Sequence, residues 1–548
     1  MSMGAMDLRT FRLTGGAVLF LLLASCTKIG NYAEKRANKA AYGNIAGAQL
    51  SAFGETDTFS IGEKENELLQ QLLEMDRKQE EVQLISLADT IALAMANSRS
   101  YQAAKENLFI EALNLTETQK DFNWDTSASS VAASTGISKE NGNVETFGEN
   151  GVDGNLTLGI SRTLVSGAKV SLGFTHAFLN AFSSPDTSSE GNAISLNIVQ
   201  PLLNGFGPLV AKEQLRQAER DMVYAVREFK RYQQDFVIDI ADQYYSALET
   251  RDKLINQRRN YESAVANREQ TEAMAKAGRI KEFEAAQAKQ SELNAADSLT
   301  LAISNYQAAL DDFRYTLGIP IDLNVEPDPQ ELTLLEERGL VQFDIDLETA
   351  LDSALSNRLD LINQRDAVED RKRLVEIARR DFLPDLDASY NVTADPGFES
   401  SDQVSQDLTV SLDIPFDWTE KRNDYRIAQI RLDQAIRSLE AEEDDIRRDV
   451  RDLWRKLERN RSVYKNRLLS VRLSERRVEN TELLLQQGKV QTRDLLDAQD
   501  DLLSSRNEAT SALVDYTINR LRFWDAIERF EIDPKGMWYE QSKEEPTE

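Results

Sequence analysis

The 548-residue chain has one cysteine, Cys26, and one histidine, His176. No disulfide can form within it, and a Cys/His zinc site is excluded within one chain. A Ser-His or Cys-His catalytic pair would have to be built on His176. Aromatics make up only 7 %, with 25 glycines and 11 prolines, a balance that suits long helices better than several compact globules. Positive charge is short as well: 64 Lys and Arg stand against 93 Asp and Glu, a net charge of −29. With no basic run as a local exception, such a surface repels phosphate, and the chain is expected not to bind nucleic acid. There is no GxxxxGK[ST] loop to cradle a nucleotide. No polar constellation converges in sequence, so the chain reads as a non-enzyme with no metal site and no cofactor.

Long apolar runs are also scarce. The run "LTGGAVLFLLLAS" from Leu13 to Ser25 follows Arg9 and Arg12. It is too short for a normal membrane span and has the form of a signal peptide over 1–25. It ends in "LASC", which resembles a bacterial lipobox. That resemblance implies a covalent lipid on Cys26 and a lipid-anchored polar segment over 26–85. Thr27, where an Asp would favour inner-membrane retention, is compatible with the outer membrane.

What the chain does have is internal repetition. "LADTIALAMANSRSY" from Leu87 aligns at an offset of 260 with "LETALDSALSNRLDL" from Leu347, and the match runs on to Asp121-Phe122 and Asp381-Phe382. Later parts align at an offset of 210, which places Gly278 on Gly488, Tyr306 on Tyr516 and Phe313 on Phe523. The first copy therefore carries an insertion of about 50 residues in its middle. Each repeat reads as helix, strands, very long helix, glycine, helix. Repeat 1 spans 86–319, with helices at 86–121, 209–277 and 279–317 and strands at about 124–200. Repeat 2 spans 346–530, with helices at 346–381, 419–487 and 489–530 and strands at about 385–414. A linker, 320–345, joins them, and 531–548 is a tail. No proline falls inside these helices, as expected when one costs about 3 kcal/mol there. Each long helix would reach about 100 Å, matched by two shorter helices stacked end to end. Ile446, Val450, Leu453, Leu457, Tyr464, Leu468, Val471 and Val478 form a coiled-coil seam.

Between the helices the period changes to two. Leu156, Leu158 and Ile160, then Val170, Leu172 and Phe174, then Ile194, Leu196 and Ile198 alternate with polar residues. In repeat 2, Leu386, Ala388, Tyr390 and Val392, then Leu408, Val410, Leu412 and Ile414 do the same. Such segments suit a membrane barrel, and a soluble sandwich gives the same alternation. The signal-peptide start and the charge balance favour the outer membrane. Trp124 and Trp418 flank the strands on the helical side, as an interfacial girdle or as plugs of the strand-helix junction. His176 falls in the apolar register near the end of a strand and reads as interfacial.

This layout, with "VQPLLNGFGP" at 199–208, "AGRIKEFEAAQAKQSEL" at 277–293, "DFLPDLDASY" at 381–390, "VSLDIPFDWTEKRNDYRIAQ" at 410–429 and "QGKVQTRDLLDAQDDL" at 487–502, resembles the TolC family of outer-membrane efflux proteins. The likeness covers about 84–530. It implies a mixed α/β membrane protein: a homotrimer whose chains share one transmembrane β-barrel, continuous with a long α-helical coiled-coil tunnel in the periplasm. It implies passive export through the outer membrane, in efflux or type I secretion, powered by an inner-membrane pump through a periplasmic adaptor. Family chains usually supply four strands. Here the first repeat holds four strand-like segments, at 125–135, 154–163, 168–178 and 192–200. The extra pair, joined through "LVSGAKV", would either lengthen the outer hairpins or add strands to the wall.

The resemblance also gives roles to the turns. Glycine supplies the positive φ that a helix-to-helix turn requires. Residues 277–281 and 487–491, with Gly278, Arg279, Gly488 and Lys489, become adaptor-contact tips. Asp494 and Asp497, six and nine residues past the tip glycine, match positions that ring the family's periplasmic entrance. Glu284 is the first-repeat equivalent of Asp494, Gln287 stands where the second aspartate would be, and Glu284 would pair with Arg493 or Lys489 to hold the gate shut. The rival reading is a lipid-anchored periplasmic coiled-coil scaffold or adaptor with a small β-domain.

Overall fold

The structure is a computed structural model and describes residues 32–61, 67–77, 82–132, 151–181, 189–341, 345–395, 403–532 and 538–540. The expected signal peptide, Cys26 and the last eight residues lie outside the described residues. Helices α1 (32–53) and α2 (Glu67–Arg77) precede a short strand β1 (Gln83–Ile85), α3 (Leu87–Asn97) and α4 (Arg99–Lys120). Four strands follow: β2 (Asp125–Ala132), β3 (Gly151–Thr163), β4 (Lys169–Ala181) and β5 (Ser189–Pro201). Next come a single turn α5 (Pro208–Ala211), the long α6 (Glu213–Lys276) and α7 (Glu282–Leu317). After β6 (Val325–Pro327) and α8 (Gln330–Arg338) the pattern recurs as α9 (Leu347–Asn357), α10 (Leu359–Arg380), β7 (Asp385–Asp395), β8 (Gln403–Asp413), α11 (Thr419–Gln486) and α12 (Thr492–Ala526). Strands β9 (Phe530–Ile532) and β10 (Trp538–Glu540) close the described chain.

The helices of the two halves come in matched lengths: 11 residues for α3 and α9, 22 for α4 and α10, 36 and 35 for α7 and α12. The single helices expected over 86–121 and 346–381 are each two helices. Ser98 and Arg358 adopt extended backbone (φ −60, ψ 127 and φ −57, ψ 123) between them. At each break the side chain turns to the residue two ahead. Ser98 Oγ lies 3.1 Å from Ser100 Oγ, and Arg358 donates to Asp360 at 3.1 and 2.6 Å. Such local polar contacts compete with the helical ladder. The last helix stops at Ala526, short of the expected 530, because Glu528 takes a positive φ of 54. Among the described residues no helix is long and apolar enough to cross a membrane.

The chain divides into two compact units. One takes in the described residues up to 60, 108–226 and 364–438. Its centre is a six-stranded antiparallel sheet, order β2-β3-β4-β5-β7-β8, open at β2 and β8. The extra pair is part of this wall: β3 pairs with β2 and β4 along its length, and β4 pairs with β5 from Lys169 to Leu179. One face carries Leu158, Phe174 and Ile194 in register, with Ile160, Leu172, Leu196 and Val392 in the next row. Leu158, Ile160, Leu172, Phe174 and Ile194 are exposed, and the same face continues on β8 with Leu408 at 72 % and Val410 at 63 %. The opposite face is small and polar: Ser127, Gly159, Gly173, Ser195, Thr393 and Ser405 make one continuous row. His176 Nδ1 lies 2.7 Å from Asn192 Oδ1, a polar pair in the apolar phase. At the helix-side ends, Trp418 stacks on Phe382 with centroids 6.0 Å apart, and Arg162 lies over Trp124. α1 packs on α4 through buried Ala41, Ile45 and Ala48, and Asn44 donates to Ala112 O and Thr116 Oγ1.

The second unit spans 61–107, 227–363 and 439–548. Its core is built on α6, α7, α11 and α12, with Tyr244, Phe313, Tyr516 and Phe523 fully buried. The inter-repeat linker folds onto it. β6 pairs in parallel with β1, Tyr244 Oη donates to Ile85 O at 3.1 Å, and Tyr516 Oη donates to Val341 O at 2.7 Å. Of the expected seam on α11, Ile446, Val450, Leu457 and Tyr464 are buried. Beyond Tyr464 the seam thins: Leu468 is 39 % exposed, while Val471 and Val478 are half-buried, and beside the seam Leu469, Leu473 and Leu483 are exposed at 52 to 65 %.

Candidate functional site

The two helix-to-helix turns are built alike. α6 ends in a residue pair where Gly278 N–H donates to Ala275 O (2.9 Å) and Arg279 N–H donates to Met274 O (3.0 Å). α11 ends the same way, Gly488 N–H to Leu485 O (2.9 Å) and Lys489 N–H to Leu484 O (3.0 Å). This is the Schellman arrangement, which satisfies carbonyls that the end of a helix leaves open. Both glycines sit at φ +68, and a Cβ at either would meet nothing within 4 Å. Only backbone conformation calls for glycine here. Gly278, Arg279, Gly488 and Lys489 are all exposed.

The carboxylates behind the second turn have distinct surroundings. Asp494 is the third residue of α12, and its carboxylate accepts from Gln491 N–H at 2.9 Å while the Gln491 side chain accepts from the Asp494 backbone. That reciprocal capping box, at the positive end of the helix dipole, favours a negative charge. Arg493 Nε lies 3.7 Å from Asp497, both exposed, and Arg477 pairs with Asp501. Desolvation, with Asp497 and Asp501 beside it, raises the Asp500 carboxyl above the ordinary range. Leu495, Leu496 and Ala498 on the other side of the helix are buried. Glu284 does not take the expected partner. Its carboxylate accepts from buried Thr492 Oγ1 at 3.3 Å, joining the first turns of α7 and α12, while Arg493 turns to Asp497. The chain thus gathers Glu284 and Thr492 in one contact and leaves Asp494 and Asp497 outward on one exposed face.

Sequence reasoning missed two buried charge clusters. In the sheet-containing unit, Arg220 pairs with Asp366 at 3.2 Å and with Asp370, and Arg373 bridges Glu213 (2.6 Å) and Asp370 (2.9 Å). Tyr224 Oη donates to Asp370 at 2.6 Å. Burial alone would raise the Asp370 carboxyl, but Tyr224, Arg373 and Arg220 together hold it low. In the other unit, burial pushes the Asp525 carboxyl up to about 7, helped by Asp235 and opposed by Arg231. Arg231 pairs with Asp360 at 2.9 Å, and Arg358 closes the group. Nothing in the sequence signals them, because their members sit in stretches already dense in charge, such as "EQLRQAER" from Glu213 and "DAVEDRKR" from Asp366.

Comparison with known proteins fits this geometry. Residues 350–526 match the model of the outer membrane efflux protein family. A search of curated proteins finds no match. Among solved structures, the Campylobacter jejuni CmeC outer membrane channel aligns over 80 % of this chain and 85 % of its own at 15 % identity, TM-score 0.59. The Vibrio cholerae outer membrane protein VceC aligns over 80 % and 95 % at 14 % identity, TM-score 0.60. The open state of the Neisseria gonorrhoeae MtrE outer membrane channel aligns over 80 % and 88 % at 17 % identity, TM-score 0.58. The second half of the chain carries the sequence pattern of the outer membrane efflux protein family, and the fold is that of these outer membrane channels.

Proposed function

We propose that the protein is an outer-membrane channel that gives passive exit to cargo delivered by an inner-membrane pump and a periplasmic adaptor. The observation that carries this reading is the sheet. Leu158, Leu172, Leu408, Val410 and Leu412 stand exposed on one face, with serine, threonine and glycine on the other. An apolar surface of that extent seeks lipid or another protein, and the alternation is that of a barrel wall with a wet interior. Three copies share the wall, with the exposed leucines of α11 at their contacts. The helices form a periplasmic tunnel, the lipid on Cys26 adds a second anchor, and the two turns meet the adaptor. Asp494 and Asp497, repeated in three copies, make the entrance a cation-binding ring.

Purified membranes test the reading directly. The expected result is a protein that needs detergent for extraction, runs as a heat-modifiable trimer and conducts ions in planar bilayers. A lipid-anchored scaffold would instead enter buffer once its lipid is cleaved and would carry no current.

A further inference from the structure

The β3–β4 hairpin is stitched into the wall on both sides. On one, Arg162 of β3 donates to Phe122 O at 3.1 Å, where α4 leads into β2. On the other, the turn at its helix-side end is tied to the segment leaving β5. Gly207 N–H and Gln200 Nε2 both donate to Ser166 O (3.1 and 3.2 Å), and Ser166 Oγ donates to Gln200 Oε1 (2.9 Å). Gly167, at φ +87, packs so close that a Cβ would lie 2.5 Å from Gly205 O. The hairpin is therefore built in down to the base of the sheet.

The register carries a second message. A row perpendicular to the strands starts at Asp125, the helix-side end of β2, and passes through Ser161, Ser171, Asn197 and Asn391 to Asp407 on β8. The helix-side end of β8 is Asp413, six residues further on. Levelling the two ends requires a stagger of six residues over six strand spacings. With about 3.4 Å per residue and about 4.8 Å between strands, the strands tilt by about 35°, within the range that barrel closure requires. β2 and β8 also run in opposite directions, because six strands alternate. Their free edges can thus join copy to copy in an antiparallel ring with no edge left over.

We propose that β8 of one copy pairs with β2 of the next in the register Asp413 to Asp125, closing three copies into a barrel of eighteen strands. The three-fold count rests on the channel reading above; the six strands, the edges and the register are the chain's own. The backbone diameter becomes about 34 Å, against about 22 Å for a twelve-stranded ring of the same tilt without β3–β4. Its inner face is lined by small residues, so the barrel passes solutes of small-protein size and size selection falls elsewhere along the path. Lys120, 3.2 Å from Asp125, offsets the second carboxylate that this register brings close.

Cysteine pairs in the full-length protein test this, with the unaltered chain as control for Cys26. Ser127→Cys with Ser411→Cys is expected to give oxidised ladders that end at three copies. Ser127→Cys with Ser405→Cys, the pair that an unstaggered closure would join, is expected to give none. A reversed pattern, a ladder ending at two, or no cross-link in a protein that still conducts as a trimer would each overturn the proposal and leave the channel reading intact. A buffer-soluble, non-conducting protein would instead overturn the reading itself. Electron cryomicroscopy in detergent counts the strands independently: eighteen are expected, and twelve would refute the closure.

Discussion

At the scale of single residues, Asp494 has two jobs that pull apart experimentally. It caps α12 and it stands outward behind the turn. Asp494→Asn keeps much of the cap and removes the charge, whereas Asp494→Ala removes both and is expected to cost about 1 kcal/mol of stability. If the carboxylates form the entrance ring, Asp494→Asn with Asp497→Asn should raise single-channel conductance and weaken block by multivalent cations. Recordings with unchanged conductance and block would take these residues out of the gate. Asp525 makes a pH-dependent prediction. Its folded-state pKa is raised to about 7, so its contribution to stability is fully present below the ordinary carboxylate range and is lost as pH climbs through about 7. Asp525→Asn holds a neutral group at every pH. It should raise the melting temperature by several degrees at about pH 8 and change little near pH 4. Equal shifts at both pH values would show that the carboxyl is not protonated in the folded protein.

At the scale of elements, the turns show what the sequence could and could not say. Gly278 and Gly488 stood out because nothing else in a proline-free helical stretch would stop it, and both sit at φ +68 in matching turns. Each Gly→Ala change there is expected to cost about 1–2 kcal/mol from backbone strain alone, with no added clash because nothing lies within 4 Å. Denaturant melts of the two variants check this, and losses well beyond that range would point to contacts across the turn. The helix breaks at Ser98 and Arg358 were not legible. Neither residue is a helix breaker, and the break depends on where its side chain finds a partner in three dimensions. The Glu284 partner was missed for a related reason. Charge suggested Arg493, but Arg493 lies one helical turn from Asp497 and Thr492 faces Glu284. The strands were legible by their period of two. Whether the extra pair widened the wall or lengthened its loops was not, because period is silent on which strand lies beside which.

At the scale of the whole molecule, the apolar residues left uncovered on α11 make a prediction about assembly. Leu469 and Leu473 are one turn apart and 56 and 65 % exposed. In a single chain, Leu469→Glu with Leu473→Glu should cost little, since both already face water. If this stripe is a contact between copies, the double variant should dissociate the trimer in detergent while the monomer keeps its helical circular dichroism. A variant that stays trimeric would place the contact elsewhere. The buried charge clusters belong to this scale as well, since their members come from helices far apart in the chain, such as Glu213 with Arg373.

The sheet has one more consequence, and it concerns time. Most of its neighbours are also neighbours in the chain, so β2 to β5 can zip together through short-range contacts as they are made. One seam is different: Asn197 on β5 meets Asn391 on β7, 194 residues away. Contacts between such distant residues form late, because the loop between them must first close. Until then β5 is a bare edge, ready to pair with the wrong chain. The risk in making this protein thus lies partway through folding, when β2 to β5 have paired and the strand that shields β5 has yet to dock.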